Sequence, residues 1–181
     1  MVSSIIWITG LSAAGKTTLG EKLTNRIREL KEPVVFLDGD SLREILGELS
    51  THSRDDRLRL AFIYSRLCKS LASQNTNVVI STVALFHEIH RWNRENLPNF
   101  LEVFLDVPMT ELRRRDPKRI YERFENGEIS NVAGLDLEVD FPLEPHLHFR
   151  YIDGVSLNDM VQEIMIKVMR NNDNLNMEFN E

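Results

Sequence analysis

Short runs of apolar residues, each closed by a turn-forming residue, alternate along this chain with longer segments whose apolar positions recur every three or four residues. The short runs, at 5–8, 34–37, 78–80, 101–107 and 147–152, read as five strands. They are apolar at nearly every position, which predicts strands covered on both faces. Helical spacing falls at 16–31, 41–49, 55–73, 87–96, 110–115, 119–127 and 157–170, and in the third of these Leu58, Phe62, Ile63, Leu67 and Leu71 form one apolar stripe. Strands alternating with helices imply a central parallel sheet between two helical layers, an α/β architecture. Residues 116–145 break the alternation with three prolines, two glycines and many charges, a composition that suits a lid. One domain over 1–170 is therefore expected, with the polar stretch 171–181 (NNDNLNMEFNE) as a flexible tail.

A chain of 181 residues has the size of one domain with a real core. Apolar residues at 42% and charged residues at 28% exclude disorder as the global state. The 22 lysines and arginines against 28 acidic residues leave a net charge of −6. Such a balance offers no general attraction to a nucleic-acid backbone or an anionic membrane, so neither is an expected partner and any anion must be met by a local site. No stretch approaches the roughly 18 apolar residues that cross a bilayer, and the first residues lack the basic region and cleavage site of a leader. The single cysteine, Cys68, permits neither an internal disulfide nor a multi-thiolate zinc site, and fits a reducing, cytoplasmic compartment.

Chemistry enters directly after the first strand. Gly10-Leu11-Ser12-Ala13-Ala14-Gly15-Lys16-Thr17-Thr18 matches G-x-x-x-x-G-K-[ST] and opens a helix, the context in which backbone N–H groups wrap a nucleoside triphosphate. The two glycines allow that wrapping, Lys16 reaches the β- and γ-phosphates, and the Thr17 hydroxyl is a magnesium ligand by motif. Neither the DxxG turn nor the NKxD motif of switch GTPases occurs. The second strand ends in Asp38-Gly39-Asp40, followed by Ser41 and Arg43. At the carboxyl end of a doubly wound strand these carboxylates face the phosphate-binding turn. One would hold magnesium through water, the other would accept the proton of an attacking hydroxyl, and Arg43 would clamp an anionic acceptor. The plain alternative is that Asp38 starts a turn, Ser41 caps the helix and Arg43 is solvated.

GLSAAGKTT, FLDGDSLR, VPMTELRRRDPKRIYERFENGEI and VAGLD, taken together, resemble the adenylylsulfate kinase family over residues 5–149. The resemblance implies a three-layer P-loop kinase fold with a helical lid, and transfer of the γ-phosphate of ATP to the ribose 3′-hydroxyl of adenylyl sulfate with Mg2+. On the matching positions it implies Asp40 as base beside Lys16, Asp38 as the water-mediated metal partner of Thr17, and Arg43 and Arg57 as acceptor ligands. Arg115, Asp116 and Lys118 would belong to the lid and the ATP side.

The departures lie on the acceptor side. Leu49 and Val132 stand where the family sandwiches adenine between two phenylalanines, and stacking on a base is worth roughly 1–3 kcal/mol. Leu58, Arg59 and Leu60 follow Arg57 where the family has an asparagine, and Ala84 or Leu85 replaces a serine that can be phosphorylated in many bacterial members. Residues 86–96 (FHEIHRWNREN) and YSRLCKSL resemble instead a divergent, capsule-associated branch whose acceptor is cytidine diphosphoramidate, and a pyrimidine needs less stacking area.

Arg113, Arg114, Arg115, Lys118, Arg119 and Arg123 form a basic cluster, in which Arg115 and Lys118 are the candidates for the nucleotide. Salt bridges to Asp116, Glu122 and Glu125 are expected for most of the others. The pairs His87/His90 and His146/His148 lack a third metal ligand at standard spacing and are expected at the surface or hydrogen-bonded. Cys68 reads as a buried core residue, and Trp92 either stacks on the acceptor base or packs. The expectation is an Mg-ATP-dependent kinase for the 3′-hydroxyl of a small activated nucleotide, adenylyl sulfate first and cytidine diphosphoramidate second. A non-catalytic nucleotide-binding regulator is the alternative of another class, and the oligomeric state, a homodimer included, is left open.

Overall fold

The computed structural model describes residues 3–47, 53–151 and 156–178, with 172–178 as helix backbone only. Five strands appear where the apolar runs place them: β1 (Ile5–Thr9), β2 (Val34–Asp38), β3 (Asn77–Thr82), β4 (Phe100–Asp106) and β5 (Leu147–Arg150). All pair in parallel, in the order β2-β3-β1-β4-β5, so that Trp7 of β1 lies between Ile80 of β3 and Glu102 of β4.

Helices α1 (Lys16–Glu29), α2 (Gly39–Leu46), α3 (Arg54–Ala72), α4 (His87–Asn96), α5 (Met109–Arg115), α6 (Ile120–Glu125) and α7 (Leu157–Glu178) complete the three-layer α/β fold. The strand period of two divides β1 between the layers. Ile6 and Ile8 join Leu19, Leu23 and Ile164 on the face of α1 and α7, while Ile5 and Trp7 join Leu60, Cys68 and Ile89 on the face of α3 and α4. Each such side chain contributes about 1.5–3 kcal/mol by burial, and a strand with two covered faces must be apolar throughout. Cys68 is fully buried and its thiol is pushed up to about 12 by burial, which leaves it a core residue.

Of the boundaries that move, two have a clear local cause. Helix α2 begins at Gly39 because Asp38, not Ser41, is its N-cap. Helix α7 continues past Arg170 to Glu178, a stretch with no glycine or proline to stop it. Leu49 lies outside the described residues. Among the described residues no helix is long and apolar enough to cross a membrane.

Candidate active site

The phosphate-binding turn, the Asp38-Gly39-Asp40 corner, the end of β3 and the start of the 116–145 segment surround one cavity of about 580 Å³ at the carboxyl ends of the strands. A Cβ on Gly10 would lie 2.6 Å from the Leu105 carbonyl oxygen, so the turn leaves β1 through a gap that only glycine fits. Ala13 (φ 65) and Gly15 (φ 96) are left-handed, the geometry with which such turns aim successive N–H groups at one point. Among the described residues no side chain caps the first turn of α1. Its N-terminal donors and positive dipole end therefore face the cavity. Lys16 donates from Nζ to the Leu11 carbonyl at 2.7 Å. Burial pushes its ammonium down to about 8, while Asp40 and Asp38 pull the other way.

Asp38 serves three neighbours. Its Oδ1 accepts the N–H groups of Asp40 (3.0 Å) and Ser41 (3.4 Å), and its Oδ2 accepts the Thr17 hydroxyl at 2.8 Å. Thr17 and Asp38 thus offer two hard oxygen donors side by side, a fit for Mg2+. Among the described residues no three His, Cys, Asp or Glu side chains gather into a cage, so such a cation would draw its other ligands from phosphate and water, as Mg2+ commonly does.

Asp40 projects from the first turn of α2 and pairs with Lys118 of the lid segment. Partial burial opposes ionisation, but Lys118, Arg43 and Lys16 together hold this carboxyl below its ordinary range. Arg43 is half-buried rather than solvated, and its Nε has no hydrogen-bond partner among the described residues. It lines both the large cavity and a smaller one behind it, whose wall includes Arg57, Tyr64, Phe86, Ala133 and Leu137. Arg57 donates to the Asn131 carbonyl at 2.8 Å, and burial and the nearby Arg43 lower its basicity. Two guanidinium groups thus line one recess, chemistry that can receive an anion.

The 116–145 segment is pinned rather than loose. Asp116 accepts the N–H groups of Ile120, Tyr121 and Glu122 and so caps α6, instead of pairing with an arginine as expected. Tyr121 donates to the Ser12 carbonyl at 2.9 Å, tying α6 to the phosphate-binding turn. Arg115 donates to Glu111 at 2.7 Å and to the Ala13 carbonyl at 3.5 Å, with its guanidinium over the Tyr151 ring. Hydrogen bonds from Arg114 and Arg115 hold Glu111 down to about 2. Arg113 pairs with Glu125, Arg119 with Glu122 and Arg123 with Glu128, so most of the basic cluster is neutralised locally.

Leu11 and Ala14 pack beneath the turn in the core, while Ser12 and Thr18 line the cavity. Val132 is buried in the core and lines neither cavity, whereas its neighbour Ala133 does. Trp92 packs edge-on against Phe62 at 5.9 Å. Tyr64, Tyr121 and Glu111 join the site without a motif of their own; only Glu111 carries a local signal, its i,i+4 spacing to Arg115.

A strand-turn-helix phosphate cradle, two carboxylates at the end of the neighbouring strand and a basic lid on a β2-β3-β1-β4-β5 parallel sheet define a P-loop kinase. The family model described as Adenylylsulphate kinase matches residues 2–150, and the chain belongs to that family. It is 40% identical over 138 residues to the cytidine diphosphoramidate kinase of Campylobacter jejuni, covering 76% of this chain and 81% of that one. It is 35% identical over 146 residues to the adenylyl-sulfate kinase of Pseudomonas aeruginosa, covering 80% and 74%. Among solved structures, Mycobacterium tuberculosis APS kinase CysC in complex with AMPPNP and APS superposes with a TM-score of 0.86 at 27% identity, covering 92% of this chain and 98% of that one.

Proposed function

We propose that the protein transfers the γ-phosphate of ATP to the ribose 3′-hydroxyl of a small activated nucleotide. The convergence of Arg43 and Arg57 carries this reading, because Arg43 lines both the phosphate cavity and the smaller recess that holds Arg57, which adds a second anion site beside the phosphate cradle. Residues 10–18 wrap the triphosphate, with Lys16 on the β- and γ-phosphates and Arg115 and Lys118 closing from the lid. Thr17, and Asp38 through water, would hold Mg2+, which supplies charge neutralisation across the phosphates when bound. Asp40, ionised and beside the acceptor recess, takes the proton as the 3′-oxygen bonds to the γ-phosphorus and the bond to the departing ADP oxygen breaks. Lys118 exchanges Asp40 for phosphate oxygen in that step. Arg43 and Arg57 hold the acceptor's anionic part.

Of the two acceptors, the mostly aliphatic lining of the recess favours cytidine diphosphoramidate, with adenylyl sulfate as the second reading. Among the described residues Tyr64 and Phe86 are the aromatic side chains in its wall and the remaining apolar lining is aliphatic. With Val132 in the core, a wide purine sandwich lacks one face. The relative named for cytidine diphosphoramidate supports the same order. ADP release with ATP and each acceptor in parallel is the test. Faster turnover of cytidine diphosphoramidate is expected. Preference for adenylyl sulfate reverses the order, and ATP binding without ADP from either acceptor leaves a nucleotide-binding regulator.

A further inference from the structure

Glu102 is fully buried in β4, away from the phosphates, and its carboxylate is shared. Oε1 lies 2.6 Å from Nδ1 of His90, and Oε2 accepts Arg94 Nη2 at 3.0 Å. The other ring nitrogen of His90, Nε2, lies 3.1 Å from the Asp140 carbonyl oxygen. A carboxylate and a carbonyl only accept, so both bonds form only when both ring nitrogens carry hydrogen. His146 accepts the Glu102 N–H at Nδ1, so that nitrogen is unprotonated, and burial and Arg94 lower its basicity. Two cations, His90 and Arg94, then stand on one carboxylate, and His87 faces Asp140 from the same helix.

Asp140 is the joint that this network holds. Its N–H donates to the Leu85 carbonyl at 3.0 Å, and its Oδ2 accepts Arg54 Nη2 at 3.1 Å and the His87 N–H at 3.2 Å. Arg54 in turn lies over the Phe86 ring and pairs with Glu88. Leu85 and Phe86 on one side of this joint, and Leu137 and Val139 on the other, are wall residues of the smaller recess. We infer that His90, as an imidazolium held by Glu102, is a positioning residue that fixes the acceptor wall through Asp140. The link to the acceptor rests on the function proposed above; the protonation state and the latch on Asp140 do not.

Imidazole nitrogen NMR near neutral pH should find both nitrogens of His90 protonated, and a singly protonated ring overturns the inference. His90→Gln, which loses the charge, should raise the acceptor KM about fivefold, the worth of one hydrogen bond, and leave the ATP KM within about twofold. Unchanged acceptor KM, or equal rises in both KM values, overturns it. Should neither acceptor turn over, amide exchange decides. Faster exchange of the Asp140 N–H in His90→Gln supports the latch, and unchanged exchange refutes it.

Discussion

Replacing Asp40 by asparagine separates catalysis from stability in this protein. The Asp40 and Lys118 side chains are 65% and 59% exposed, so their ion pair contributes only about 0–1 kcal/mol in water. Asparagine keeps the size of the side chain, and the capping of α2 belongs to Asp38, which the change does not touch. The melting temperature should therefore fall by no more than about 2–4 °C. Turnover responds differently, because an amide cannot accept the acceptor's proton. A positioned base contributes about 10²–10⁴-fold, and a loose phosphoryl-transfer transition state places the loss near the lower end, about 10²-fold. ATP affinity should stay within about threefold, since Gly15, Lys16 and Thr17 are unaltered. Initial rates of ADP release at saturating ATP and acceptor, with calorimetric ATP titration alongside, measure both quantities. A kcat within about threefold of the parent enzyme refutes the role of Asp40 as base.

Three further outcomes are expected. The Lys16 ammonium, pushed down to about 8 by burial, regains its proton when phosphate arrives, so ATP binding should take up protons between about pH 8 and 9 and weaken as pH rises. Calorimetry in buffers of different ionisation enthalpy reads that uptake, and a buffer-independent heat contradicts it. Val132→Phe should overpack the core and cost about 1–3 kcal/mol in thermal or denaturant unfolding, without improving adenylyl sulfate turnover. A stable variant that gains adenylyl sulfate activity would return Val132 to the acceptor pocket. Gly20→Ala would set a methyl 2.4 Å from the Phe36 ring and 2.7 Å from Ser81 Oγ, prising α1 from the sheet. Denaturant unfolding should show a loss of about 1–3 kcal/mol, and an unchanged midpoint would mean that Phe36 moves freely.

Local spacing settles whatever the backbone can express without distant help. The apolar runs specify five doubly covered strands because a strand's two faces are written on alternate residues, as Ile5 to Ile8 show. Gly10, Gly15, Lys16 and Thr17 specify the phosphate turn because its conformation and its first ligands are consecutive in the chain. Tertiary structure decides what depends on which side chain meets which. Asp38 rather than Ser41 caps α2, since the corner after β2 turns the Asp38 carboxylate toward two N–H groups. Val132 and Ala133 are both buried, yet only Ala133 also lines the recess, in a turn that the Asp136 carboxylate holds by accepting the N–H groups of Asn131 and Val132. His90, Glu102 and Asp140 read as an unremarkable helix histidine and two scattered acids until β4, α4 and the lid segment bring them together. A buried charge must find its partners in three dimensions, so its meaning is absent from any window of the sequence.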